Sequence, residues 1–124
     1  MLKDIVEVTG VRHAVVFTAD GLPKIWSEAT ERDDADRIAA TGSGLQSLGR
    51  SISNSYGRSP SVREVMIGYD GGFLFIRAAA EGSHLAVITH ADVDPRLVSQ
   101  QMQTVIQRLG DQALATPARN AAGT

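Results

Sequence analysis

Apolar and polar positions change rhythm several times along the chain, and each change marks an element. From Thr30 to Tyr56, the residues Ile38, Gly42, Leu45, Gly49, Ile52 and Tyr56 recur at spacings of four, three, four, three and four. That is one face of an α-helix. Thr30 with Asp33 three residues on predicts a capping box, and Glu31, Asp33, Asp34 and Asp36 fall where the helix dipole favours acids. An interior glycine costs a helix about 1 kcal/mol relative to alanine. Gly42, Gly44 and Gly49 all lie here, so packing rather than propensity must hold the helix. A shoulder of Thr41, Gly44, Leu48 and Ser51 runs beside the main stripe, and Asp36, Ser43, Ser47, Arg50 and Asn54 form a wet face. The shoulder reads either as the flank of a wide core stripe or as a second surface, such as the contact with the same helix of another subunit.

Around this helix the rhythm is that of strands. Leu2, Ile5 and Val6 predict a short helix that Thr9-Gly10 stops. Val11–Thr18 is apolar on both faces, as a strand covered on both sides must be. Asp20-Gly21 predicts a hairpin turn into Leu22–Ser27, where Pro23 marks a sheet edge because it cannot donate to the ladder. Gly57–Ser61 reads as a loop. Val62–Tyr69 is a strand with Val65, Ile67 and Tyr69 on one face and Glu64, Met66 and Gly68 on the other. Asp70-Gly71-Gly72 turns into Phe73–Ala79, apolar on both faces apart from Arg77; Ala80–Ser83 turns again into His84–Thr89. Asp94 as N-cap and Pro95 in the first helical position open a last helix that buries Val98, Met102, Val105 and Leu109, ending at Gly110 as a candidate C-cap or running on to Leu114, with a frayed tail at 115–124.

The order helix-strand-strand-helix-strand-strand-strand-helix predicts an α+β, three-layer α/β/α sandwich around a five-stranded, mostly antiparallel sheet. The middle helix covers one face and the terminal helices the other. The strands Leu22–Ser27 and Val62–Tyr69 are the expected edges. At 124 residues one domain is expected over 1–110, with 111–124 as the helix end and a flexible tail.

Composition narrows the chemistry. Twelve basic and 14 acidic residues with no basic cluster argue against nucleic acid as a partner. No cysteine is present, which excludes disulfide and thiolate chemistry. No run is apolar enough for a membrane span or a signal peptide, so a cytoplasmic location is expected, with recruitment to a membrane only through partners. No G-x-x-x-x-G-K-[ST] is found, and Gly42-Ser43-Gly44 lies inside a helix rather than between strand and helix, so no phosphate cradle follows. His13, His84 and His90 lack metal-ligand spacing; His13 and His84 read as satisfied strand histidines and His90 as a loop residue. Asp33, Asp34 and Asp36 read as helix-start acids. No catalytic, cofactor-binding or metal site is expected. Arg12, Arg50, Arg58 and Arg63 are the candidates for a finger acting on a partner GTPase, with Arg58 in the most mobile setting, and nothing in the residues favours them over solvated charge.

RHAVVFTADGLPKIW (12–26), the small-residue helix DDADRIAATGSGLQSLGRSI (33–52) and GGFLFIRAAAEGSHLAVIT (71–89) resemble the Roadblock/LC7 family. They are most similar to its MglB-like bacterial branch, and within it to short actinobacterial members encoded in conservons. The resemblance covers about Leu2–Leu109. It implies a profilin-like fold and a homodimer in which two sheets join through the third strand, with the middle helices pairing antiparallel across the junction. On this chain the matching positions are Thr41, Gly44, Leu48 and Ser51 of the helix and Arg63, Val65, Ile67 and Tyr69 of the strand. It further implies a non-enzymatic regulator of a small Ras-like GTPase that acts by reshaping its partner, in a complex with a sensor-kinase-like membrane protein. The short first helix departs from the family pattern and thins the layer over one sheet face. Two other classes remain open: a pure scaffold without effect on GTP hydrolysis, and a small-molecule sensor, which the aliphatic core disfavours.

Overall fold

Strands that are apolar on both faces need cover on both, and the computed structural model supplies it. The model describes residues 2–123, with side chains from 2 to 112. The elements are α1 (Lys3–Val6), β1 (Val11–Phe17), β2 (Pro23–Trp26), α2 (Arg32–Tyr56), β3 (Glu64–Tyr69), β4 (Gly72–Ala78), a short 3-10 turn (Ala80–Gly82), β5 (His84–His90) and α3 (Pro95–Gly123). The sheet runs β2-β1-β5-β4-β3 with every neighbouring pair antiparallel. β2 and β3 are therefore the two edges, as Pro23 and the long crossover predict.

The period of two sorts each strand's side chains between two cores. Val15 and Phe17 of β1 join Leu74, Ile76 and Ala86 beneath Ala35 and Ala39 of α2. Their alternates Ala14 and Val16 join Phe75, Leu85 and Val87 beneath Ile5, Val98, Met102 and Val105 of α1 and α3. The three layers are thus as expected. α1 is a single turn, held by buried Leu2 and Ile5, with an exposed ion pair between Asp4 and Arg108 beside it.

Several expectations need correction. Thr30 does not cap α2: the helix starts at Arg32 after Glu31, with no side-chain cap bond, and Thr30 is buried in a polar cluster with Ser27 and His13. The buried stripe of α2 is Ala35, Ala39, Gly42 and Gln46, with Ile38, Leu45 and Gly49 half-buried beside it, whereas Ile52 and Tyr56 are exposed. Ser43, placed on the wet face, is half-buried and donates to the Ala19 carbonyl at 2.7 Å, tying α2 to the hairpin turn. His90 is the last residue of β5 rather than a loop residue. Gly110 does not stop α3, which continues to Gly123. The tail expected at 115–124 lies outside the described side chains.

The reason for the displaced stripe is reach. A 25-residue helix spans about 37 Å, whereas a seven-residue strand spans only about 23 Å. The last turns of α2 overhang the sheet, and the large residues there find no core beneath them. Where α2 does lie on the sheet it lies close. A Cβ at Gly42 would come within 2.6 Å of the Phe17 ring, and one at Gly49 within 3.2 Å of Val62. Gly44 is different: a Cβ there would meet nothing within 4 Å.

Two histidines sit under α2. His13 Nδ1 is 2.8 Å from Thr30 Oγ1, and the His84 ring packs 5.4 Å from that of Phe17. Contrary to expectation His84 is not satisfied, because its buried Nδ1 has no partner among the described residues; neither has buried Nε2 of Gln46. Burial, reinforced by Arg12 and partly opposed by Asp34, pushes His13 below its ordinary pKa of 6.5. Burial, reinforced by Arg50, does the same to His84.

Two measurements check this packing. Gly42→Ala should lower stability by about 1–2 kcal/mol, the overpacking against a fully buried ring exceeding the helix gain, while Gly44→Ala should raise the stability of the isolated chain by about 0.5–1 kcal/mol; urea melts of both variants decide it. Because both histidines have folded pKa values below 6.5, the unfolded chain binds more protons under that pH. The urea midpoint should therefore hold from pH 8 to 7 and fall as the pH drops through 6.5, with His84→Gln flattening part of the fall.

Candidate functional site

Large apolar residues left in water are the informative feature of this surface. Among the described residues most of them lie on α2 and on β3: Leu48 is 67% exposed, Ile52 63%, Tyr56 86%, Met66 59% and Tyr69 45%, while Leu22, Ile25 and Leu97 stand apart on the first hairpin and α3. The overhang explains the helix members. For Met66 the cause is topological, since β3 is an edge and the core under α3 draws on β1, β4 and β5 but takes no residue from β3.

β3 is flanked by a groove on each side. On the α2 side an open groove of about 600 Å³ runs between Ile52, Ser53 and Tyr56 and the strand residues Val65 and Met66. Its far wall is the 57–61 loop, which is fastened to the helix: Ser53 Oγ lies 2.6 Å from the Ser59 carbonyl and 3.0 Å from that of Ser61, and the Gly57 amide donates to Ser53 O at 2.7 Å. On the α3 side a polar cavity of about 810 Å³ is lined by Arg63, Glu64, Arg77, Gln103 and Ile106. There Arg77 bridges Glu64 at 3.3 Å and Gln103 at 3.1 Å.

The interface positions expected from the sequence fall into two groups. Thr41, Gly44, Leu48 and Ser51 are all exposed and share one flank of α2, and Arg63 and Tyr69 are exposed at the two ends of β3. Val65 and Ile67 are half-buried against the core beneath α2, so at this edge they offer backbone rather than side chain. Ile52, Tyr56 and Met66 are exposed as well, although the apolar pattern does not mark them as surface. Helix length set against strand length was the available signal for the first two, and the polar neighbours Glu64 and Gly68 on the same strand face for Met66.

The arrangement offers surface for contacts with another molecule. Among the described residues no group of His, Asp and Glu could hold a metal ion, and no helix is long and apolar enough to cross a membrane. The ion pairs on the first turns of α2, Arg32–Asp36 at 3.2 Å and Arg37–Asp34 at 2.9 Å, are exposed, and pairs of that kind contribute little. Asp34 and Asp36 thus serve the helix start. Arg12, Arg50, Arg58 and Arg63 are all exposed.

A family model for the Roadblock/LC7 domain matches residues 1–89. The chain is similar to a Roadblock/LC7 domain from Streptomyces avermitilis, with 31% identity, a TM-score of 0.85, and coverage of 90% of this chain and 93% of that one. MglB from Myxococcus xanthus shares the fold at 12% identity, with a TM-score of 0.80 over 90% of each chain. Profilin IB from Acanthamoeba castellanii shares it more distantly, at 13% identity and a TM-score of 0.57 over 87% of this chain and 91% of that one. No curated protein matches the chain in sequence. The match over most of the domain and the identity to the Streptomyces protein place this chain in the Roadblock/LC7 family.

Proposed function

We propose that the chain is a non-enzymatic, homodimeric module that binds a small Ras-like GTPase and modulates its nucleotide state or location, within a cytoplasmic complex linked to a sensor-kinase-like membrane protein. The observation that carries this reading is the apolar face of α2 and β3, which the domain leaves without a partner of its own. In the proposed dimer the free edge of β3 pairs with its two-fold mate, and α2 packs antiparallel on its copy through Thr41, Gly44, Leu48 and Ser51. Gly44 supports the helix contact. It weakens α2 by about 1 kcal/mol, yet among the described residues nothing comes near enough to need it. A close approach by a second backbone supplies the reason. Ile52, Tyr56 and Met66 flank that contact and form the surface offered to the GTPase. The sequence resemblance to the MglB-like branch supports a GTPase-linked role in which the module reshapes or recruits its partner.

Light-scattering mass tests the first half. The unmodified chain should run at twice 13.2 kDa. Leu48→Glu and Gly44→Arg should run as monomers while still unfolding cooperatively. Removing one buried leucine from each half of an isologous contact forfeits about 3–6 kcal/mol, at least a hundredfold in dissociation constant. If both variants stay dimeric, the helix contact is wrong. The second half is read by adding the GTPase encoded beside this chain, loaded with GTP or with GDP. Gain of mass in one nucleotide state, with a changed hydrolysis or exchange rate, supports a regulator. Binding that ignores the nucleotide and leaves both rates alone would replace it by a scaffold, and no binding would end the GTPase reading.

A further inference from the structure

One amide sets the direction of a hydrogen-bond chain at the entry to α2. The Ala14 N–H can only donate, and it points at Ser27 Oγ, 3.1 Å away. Ser27 Oγ is 2.5 Å from Thr30 Oγ1, which is 2.8 Å from His13 Nδ1. Ser27 and Thr30 are each only 4% exposed, and each hydroxyl has one proton to place. If the chain runs away from the amide, Ser27 donates to Thr30, Thr30 donates to a bare Nδ1, and the imidazole carries its proton on Nε2. Every group is then used. If it runs the other way, Nδ1–H donates to Thr30 and Thr30 to Ser27. Ser27 then accepts from two donors, and its own buried proton is left without an acceptor among the described bonds, an arrangement that buried hydroxyls avoid.

We propose that this chain is a proton-sensitive latch on the entry to α2. In the neutral protein His13 is the Nε2–H tautomer that closes it. A proton arriving at Nδ1 reverses the direction, strands the Ser27 hydroxyl and loosens residues 27–31. The surroundings suit the role. The charged groups bearing on His13 are Arg12 from its own strand and Asp34 from α2; of these Asp34 is already paired with Arg37 at 2.9 Å. β5 sets uncharged Ile88 opposite, and the lead-in to α2 contributes only the two hydroxyls. No strong counter-charge therefore waits to hold an imidazolium in place. The backbone beside the latch is a tight turn, with the Thr30 amide on Ser27 O and the Ser27 amide on Ala14 O, both at 2.9 Å. Loss of the side-chain links is thus felt by the whole lead-in.

The test uses the intact, uniformly 15N-labelled protein. Long-range nitrogen–proton spectra at pH 8 should show His13 with its proton on Nε2. Hydrogen exchange at the Ala14 amide, normalised to intrinsic rates, should lose about five- to tenfold of its protection as His13 titrates, the scale of one hydrogen bond. Thr30→Val keeps the shape and cuts the chain, so in that variant Ala14 protection should no longer follow the His13 titration. An Nδ1–H tautomer, or Ala14 protection that ignores the titration in the unmodified protein, overturns the latch without recourse to a variant. So does an undiminished pH response in Thr30→Val.

Discussion

The contact between Gly42 and the Phe17 ring governs much of the rest. A helix that lets an aromatic ring reach its backbone lies low on its sheet, and α2 does so through Ala35, Ala39 and Gly42 rather than through its large residues. Low seating brings the polar ties into range as well: Ser43 on the β1–β2 turn, Ser53 on the following loop, and Thr30 on β1 by way of His13 and Ser27. The large side chains of the helix are displaced to its flank and its far end. Buried packing in the first turns follows from that seating, and exposed apolar surface in the last turns from the length of the helix.

The strands were legible because their signals are local. Alternation of period two, Asp20-Gly21, Gly71-Gly72 and Pro23 mark where each strand turns or ends without reference to anything distant. Both edges followed from Pro23 and the crossover length. What the residues concealed is what depends on extent. A period of 3.6 continues past the end of a sheet as readily as over it, so Ile52 and Tyr56 looked like core. A glycine in a helix can be a stop or a passenger, and Gly110 is a passenger. Thr30 has the credentials of a cap, but a histidine 17 residues earlier in the chain competes for its hydroxyl and wins, because burial makes an unmet hydrogen bond expensive there.

The three helix glycines show how far a stripe of small residues can be read. In sequence Gly42, Gly44 and Gly49 are one motif. In the fold they are three cases: Gly42 is required by Phe17, Gly49 makes room for Val62, and Gly44 faces open space. Only the last calls for an explanation outside the chain, and it lies on the same flank as exposed Leu48.

The two sheet edges make a comparable contrast. β2 is four residues long, begins with a proline, and pairs with β1 across a register shift between Val16 and Phe17, all features that blunt an edge against further pairing. β3 has six residues, no proline, and an unbroken register with β4 from Glu64–Arg77 to Tyr69–Gly72. Its charged positions, Arg63 and Glu64, stand together at one end, and one of them is occupied with Arg77. A lone domain gains nothing from leaving a regular edge open beside exposed Met66 and the overhang of α2, since such an edge invites association. The two edges thus differ within one sheet: β2 is blunted against further pairing, and β3 is the edge through which the proposed dimer would form.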